Sequence, residues 1–305
     1  MQRYILRRVA QALVCIIAVT IIVFMLTHLS GDPLALLMDP EARPEDWEAK
    51  RISLGLDKPL YVQYWRYISG VFRGDFGLSL KWKIPAFELF MERFPNTLQL
   101  GVSAILITWF IGIPVGVLSA LKPGGFVDRI IRVMAIFGQS VPVFWMAIML
   151  ILVFSVTLGL LPSAGRGGIR NLILPAVTLG AFSTAAMTRL SRSAMLDVMD
   201  REYIKLARIK GLPERLVIGK HALKNASIPV ITLASMQFVV LINGTVITET
   251  IFAWPGVGRL IVDAINWRDF PIVQMCVFIA SCLWIFSNLA IDILYAYLDP
   301  RIRYQ

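Results

Sequence analysis

Long stretches of this chain carry no charge, and that feature decides the solvent in which it folds. Runs without Asp, Glu, Lys or Arg cover residues 9–31, 99–121, 133–165, 171–188, 225–248 and 271–291. Each approaches or exceeds the roughly 20 residues a helix needs to cross hydrocarbon. Apolar residues make up 57% of the 305, more than a water-soluble protein of this size has use for. A lipid-exposed segment must satisfy its own backbone, so the spans are expected to be helical. The fold class expected is an all-α integral membrane protein with six transmembrane helices. The fourth run is the weakest, and the third is long enough to require a tilt or an extension beyond the bilayer. The first run follows Arg3, Arg7 and Arg8 but is too long for a signal h-region and lacks a small-residue cleavage site. It reads as a retained first span.

Charge assigns the sides. The N-terminus, residues 122–132, residues 189–224 and the C-terminal tail hold 17 Lys and Arg, whereas 160–172 and 252–271 hold four. Short loops rich in Lys and Arg stay in the cytoplasm, so both termini are expected there. The net charge of +10 follows from this asymmetry and from attraction to anionic lipid. Nothing resembles a basic domain with interleaved aromatics, so no nucleic-acid partner is expected. Cys15, Cys276 and Cys282 lie in apolar runs and read as packing residues rather than a disulfide framework. His28 and His221 fall on opposite sides, and no metal site is expected.

The one large insertion is residues 32–96, after the first span. Asp32-Pro33, Pro40, Pro44 and Gly74-Asp75 punctuate it, and the stretches between them predict short helices over 44–54 and 60–72. Tyr61, Tyr64, Trp65, Ile68 and Phe72 recur at helical spacing in the second, giving an aromatic stripe that either packs on the membrane surface or the spans or touches a delivered substrate or its carrier protein, packing being the expectation. Trp82, Trp254 and Trp267 are placed near the outer interface. Pro255, Gly256 and Gly258 predict a break after Trp254, and Pro114, Pro142 and Pro175 predict kinks.

Residues 200–224 form a basic, helix-forming loop between apolar spans. Asp200 is expected to cap the helix that follows. Tyr203, Leu206, Ala207 and the stem of Lys210 mark one docking side. Gly211 stops the helix, and Pro213 sits where a second begins.

Catalytic signatures are missing: no phosphate-cradling Gly-rich loop with Lys-Ser/Thr, no His-Glu-x-x-His and no Gly-x-Ser-x-Gly. No catalytic residue and no cofactor are expected in this chain. Candidate pathway residues are Gln139 and Ser140 before Pro142, and Gln237, Asn243, Thr245, Thr248 and Glu249 in and after the fifth run. A polar stripe in an apolar helix lines an aqueous passage or hydrogen-bonds its neighbours, and the sequence leaves both open. Glu249 either meets a cationic substrate group or forms a structural pair.

The spacing of Ala207, three residues and Gly211 is similar to the cytoplasmic loop signature of bacterial ABC-importer permeases. Lys205-Leu206 stands where Glu-Ala is usual, and His221-Ala-Leu-Lys224 replaces Ile-x-Leu-Pro. These departures resemble the first (B-type) permease of the dipeptide, oligopeptide, glutathione and nickel branch. So do Gly31-Asp-Pro33, Leu54-Gly-Leu-Asp-Lys-Pro-Leu60, Gly74-Asp-Phe-Gly-Leu-Ser79, Trp254-Pro-Gly-Val-Gly-Arg259 and Asp299-Pro-Arg-Ile-Arg-Tyr304. The resemblance implies a type I importer permease in a bacterial inner membrane. It would have an N-terminus and first helix over 1–31, an extracytoplasmic insertion over 32–96 and a five-helix core over 97–305. It implies a coupling loop at 200–224 with contacts at Glu202, Tyr203, Lys205, Leu206, Ala207, Arg208, Lys210, Gly211 and His221. Partners implied are a second homologous permease, two ABC ATPase subunits that bind ATP and Mg, a substrate-binding protein and membrane lipid. The solute expected is a peptide or glutathione-like compound. The alternatives are chelated nickel, or an autonomous channel or secondary transporter.

Overall fold

The computed structural model describes residues 2–29, 43–243 and 245–298. Gly31-Asp-Pro33 and 299–304 lie outside them, as do the side chains of His28, Asn243 and Asp292. The described residues form helices and one isolated bridge, Leu78 with Pro85. In chain order the helices are α1 (Gln2–Leu29), α2 (Pro44–Leu54), α3 (Leu60–Phe72), α4 (Ala86–Leu121), α5 (Phe126–Ser140), α6 (Val143–Thr157) and α7 (Ile169–Met199). They continue with α8 (Glu202–Ile209), α9 (Leu223–Asn243), α10 (Val246–Ile251), α11 (Val257–Asn266) and α12 (Phe270–Leu298).

Among the described residues four helices are long and apolar enough to cross a membrane: Ile5–Met25 within α1, α4, α7, and Phe270–Ala290 within α12. The pair α5 and α6 makes a fifth if read as one broken span, bent by 111°. Pro142 supplies the break: it stands at the N-cap of α6 with extended backbone and has no amide to continue the ladder. The expected kink at 142 is thus a sharp turn, and the 133–165 run is divided rather than tilted. The run at 225–248 lies on the 21-residue α9 and on α10. Pro114 lies two residues past the end of a π-helical turn, Thr108–Gly112, whose wider ladder makes room for a residue without an amide. Pro175 lies inside α7, which runs on to Met199.

The chain divides into two compact units, residues 96–255 and residues 1–95 with 256–305. The last helices therefore join the N-terminal part, because Leu89 and Phe90 share a core with Leu260, Ile272 and Met275.

In the 96–255 unit α7 packs against α4, α5, α6 and α9. It is the least apolar of the four full-length candidates, and 56% of its most apolar window is buried, against 39% or less in the others. Facing protein on most sides, it needs less apolar surface than a lipid-facing helix. Its contact with α4 is close. A Cβ on Gly116 would lie 2.5 Å from the Thr188 carbonyl oxygen and 2.7 Å from Ser191 Cβ. One on Gly180 would lie 3.0 Å from the Ala104 carbonyl oxygen. Small residues let helices approach closely enough for dispersion to hold them where lipid removes the hydrophobic drive.

A buried carboxylate fastens one end of this packing. Asp128 on α5 is 1% exposed and takes both arms of the Arg192 guanidinium from α7, at 2.7 and 3.1 Å. Ser119 Oγ donates to it at 2.6 Å and the Gly124 amide at 2.8 Å. A charge so filled with donors is tolerable in a low-dielectric setting. Sequence reasoning missed it, although a lone Asp just ahead of Arg129 and Arg132 at the edge of a span was the available signal.

In the other unit α1 and α12 lie side by side. They run antiparallel: Phe24 shares a cavity wall with Phe270, and Arg7 shares a groove with Asn288. The predicted helices at 44–54 and 60–72 form with those boundaries. The aromatic stripe of α3 splits, however. Tyr64 packs on Phe24 with ring centroids 5.4 Å apart and its hydroxyl lies 2.9 Å from Thr20 Oγ1. Tyr61, Trp65 and Phe72 are 74, 72 and 87% exposed. Residues 61, 65 and 72 share a face that α1 does not cover.

Gly116→Ala should drive α4 from α7, lowering stability by about 1–3 kcal/mol in thermal unfolding. Gly219→Ala, with open space around its Cβ position, should leave the melting temperature unchanged.

Candidate functional site

The 200–224 loop is built as expected at its break and differently at its start. Asp200 closes α7 in helical geometry, while extended Arg201 is the N-cap of α8 and makes no side-chain capping bond. Asp200 therefore does not cap α8; its carboxylate pairs with Lys205 at 3.6 Å. Lys205 also reaches Glu202 at 3.2 Å, and that bond raises its pKa. At the far end the Gly211 amide donates to Arg208 at 2.9 Å and the Leu212 amide to Ala207 at 3.3 Å. This doubly bonded stop needs a left-handed residue, and Gly211 has φ +76°. Extended Pro213 then opens Glu214–Leu216, which continues as a π-helical turn over Val217–Ala222 into α9.

Ile204 and Ala207 point inward, joining Val217 and Ala222 in a core with Met187, Ala194 and Met195 of α7 and Ala226 and Val230 of α9. Tyr203, Leu206 and Ile209 face outward, 41, 55 and 80% exposed. The docking side read from sequence thus needs correction. Ala207 belongs to the buried face, and the outward apolar residue missed was Ile209. Arg208 joins Glu214 at 2.8 Å across the break. Its guanidinium holds the Glu214 carboxyl below the usual carboxylate range. The pair is present at neutral pH and lost as pH falls through that lowered value. Glu202, Lys205 and Lys210 are exposed, and His221 is half-buried in the π turn.

The pathway candidates divide into two groups. Gln139 is half-buried and accepts a hydrogen bond from Arg189 of α7; Ser140 is exposed and bonded to the Ile136 carbonyl within its own helix. Gln237, Thr245, Thr248 and Glu249 are buried. Gln237 Nε2 donates to the Ser183 carbonyl of α7 at 3.1 Å, and among the described residues its Oε1 has no hydrogen-bond partner. Thr248 Oγ1 is equally unpartnered. Glu249 is fully buried and accepts from Thr97 Oγ1 at 2.7 Å. Asn243 ends α9.

Beside Glu249 the chain turns through Ala253, with φ +48°, before α11. Trp254 is 1% exposed and donates from Nε1 to the Asn96 carbonyl at 2.9 Å, while Asn96 Nδ2 donates to the Pro255 carbonyl at 2.7 Å. Trp254 is therefore a core residue, not an interface anchor, because its indole N–H finds a buried acceptor. Asn96, Thr97 and Trp254 were absent from the sequence-based set.

Residues 1–101 match the N-terminal component, and residues 112–304 the main component, of the family described as the binding-protein-dependent transport system inner membrane component. The chain belongs to this family. The permease is 40% identical over 306 residues, covering all of both chains, to the glutathione transport system permease protein GsiC of Escherichia coli and that of Salmonella paratyphi A. Its fold is that of two solved transporters. An inward-facing MetNI methionine ABC transporter gives a TM-score of 0.51 at 18% identity over 67% of this chain and 94% of that chain. An amino acid ABC transporter with histidines gives 0.56 at 15% over 69% and 94%. The permease is thus a multi-pass inner-membrane subunit of a binding-protein-dependent ABC importer, a transporter component rather than an enzyme. ATPase and substrate-binding partners follow from that membership.

Gly211→Val forces a β-branched residue to positive φ. It should cost about 1–3 kcal/mol locally, read as faster amide exchange across 200–216, while membrane insertion stays at the wild-type level.

Proposed function

We propose that the permease translocates glutathione or a small peptide, and that an ATPase subunit drives it by gripping α8. The observation that carries this reading is the two-faced loop: Ile204, Ala207 and Val217 fasten it to α7 and α9, while Tyr203, Leu206 and Ile209 stand out from the surface. The solute class is supported by 40% identity over the full length to a permease named for glutathione transport. The complete importer, in this reading, contains a second permease and two ATPase subunits that hold ATP and its magnesium. ATP binding favours one of two conformations, and the populations shift by the difference in its affinity for them. Charge asymmetry supports a cytoplasmic location for both termini and for α8, where such a subunit would reach them.

Within the 96–255 unit the buried polar residues are the pathway candidates. In this conformation Glu249 is sealed by Thr97, and Gln237 keeps an unused acceptor. A buried acceptor without a partner costs roughly 1–3 kcal/mol, an outlay that an alternate state repays if it admits water or solute to Gln237.

Three measurements test the proposal. Leu206→Asp with Ile209→Asp should lower ATP-driven glutathione uptake in proteoliposomes at least tenfold, with the permease itself still folded; unchanged uptake would remove α8 as the grip. Glu249→Gln should impair uptake with the complex intact, whereas loss of assembly would make Glu249 a structural residue. A cysteine at residue 214 should label from the cytoplasmic side and one at residue 47 from outside.

A further inference from the structure

The first span fixes the height of α3. Its Tyr64 hydroxyl lies 2.9 Å from Thr20 Oγ1, and the Tyr64 and Tyr67 rings sit 5.4 and 6.0 Å from the Phe24 ring. Thr20 and Phe24 belong to the apolar stretch Ile5–Met25, which rises about 30 Å, the thickness of the hydrocarbon core. Thr20 stands about 7 Å inside the Met25 end of that stretch. The packed side of α3 therefore reaches to hydrocarbon depth. The helix lies level with the bilayer surface, at the end of α1 remote from the N-terminus.

Its uncovered side suits that depth. At about 100° per residue, Tyr61, Trp65 and Phe72 fall within about 40° of one another, and Arg66 and Arg73 lie about 100–120° further round the helix. Residues 60–74 hold no Asp or Glu, whereas α2 just before them carries Glu45, Asp46 and Glu48. Tyr and Trp rings favour headgroup depth, and Arg beside an apolar face keeps its charge in the polar layer. An amphipathic helix of this make-up lies in the interface plane. A carrier protein that docks and leaves would return the three rings to water in each cycle, while lipid covers them throughout.

We propose that α3 is an interfacial helix whose partner is the lipid surface. Tyr61, Trp65 and Phe72 insert between headgroups at the top of the acyl chains, with Arg66 and Arg73 at the level of the phosphates. The helix thereby tethers the insertion to the bilayer beside α1. Neither the solute nor the ATPase grip enters this argument, so it stands whatever the importer carries.

The assembled importer in phosphatidylcholine nanodiscs tests it, carrying Tyr61→Cys, Trp65→Cys or Phe72→Cys one at a time in a Cys15→Ala, Cys276→Ala, Cys282→Ala background. All three positions are exposed, so the exchange leaves the packing of α3 on α1 in place. A membrane-impermeant maleimide should alkylate each at least roughly tenfold more slowly than Glu48→Cys on α2, the low end of what withdrawing an apolar side chain from water gives. An environment-sensitive fluorophore, attached to the same cysteines in detergent before reconstitution, reads the depth. It should be quenched more by lipid spin-labelled near the top of the acyl chain than by lipid labelled near its end. Both results should hold with and without the binding protein. Alkylation as fast as that of Glu48→Cys would place the face in water and overturn the proposal. So would slow alkylation without lipid quenching, which would mean that another protein chain covers the face. Protection that requires the binding protein would make the face a docking surface for that carrier and overturn it equally.

Discussion

The backbone contact between α4 and α7 is the constraint around which residues 96–255 are arranged. Hydrocarbon gives helices no hydrophobic reason to associate, so closeness has to supply the attraction. Gly112, Gly116 and Gly180 provide it, at positions where a methyl would sit 3.0 Å or less from a neighbouring backbone oxygen. Once α7 is enclosed, its surface no longer needs to suit lipid. Thr178, Ser183, Thr188 and Ser191 are then carried in the interior, where Thr188 bonds back to the Thr184 carbonyl at 2.8 Å. The polar composition that makes this helix a weak membrane candidate follows from its central position.

Polar groups in such an interior take two forms here. Asp128 is saturated, with donors from Ser119, Gly124 and Arg192 holding α4, the following turn, α5 and α7 together. A network of this kind stabilises one arrangement and resists change, because removing a single donor leaves a charge stranded. Gln237 and Thr248 have capacity unspent, and partly satisfied groups are the ones whose partners can change at low cost. The saturated network joins α5 to α7, whereas unspent capacity is spread over α7, α9 and α10, at Thr178, Ser191, Gln237 and Thr248.

Much of this was legible in the sequence where local chemistry decides it. The charge-free runs at 9–31, 99–121, 171–188 and 271–291 fall on the four long apolar helices among the described residues. The punctuation around Pro44 and Pro59 bounded α2 and α3, and Gly211 with Pro213 marked the loop break, because turn residues act through backbone geometry within a few positions. What depended on distant neighbours was not legible. Asp200 has the composition of an N-cap, yet α7 extends to Met199 and absorbs it. Trp254 carries an interface-type ring, yet Asn96, 158 residues away in sequence, offers the acceptor that draws it inward. Periodicity grouped Tyr61 with Tyr64, but only the position of α1 determines which of the two is covered. The buried site residues follow the same rule: Glu249 was visible as an acidic residue after an apolar run, whereas its donor Thr97 belongs to another helix.

How far a push on the loop travels follows from these elements. α7 is a single helix of 31 residues, about 46 Å at 1.5 Å per residue, and Ala194 and Met195 near its end pack on Ile204 and Ala207. Ser183, three turns back along α7, supplies the carbonyl that Gln237 holds. The loop and the buried glutamine therefore bear on the same helix, and α9 closes the circuit because Ala226 and Val230 share the loop core while Gln237 lies two turns further on. A continuous helix transmits displacement along its axis, whereas a π-helical turn, with its poorer ladder, is where bending is cheapest. Only the α9 arm contains such a turn, at Val217–Ala222. Force applied at Leu206 or Ile209 is thus carried rigidly by α7 and compliantly by α9, and the difference between the two falls on the Ser183–Gln237 contact.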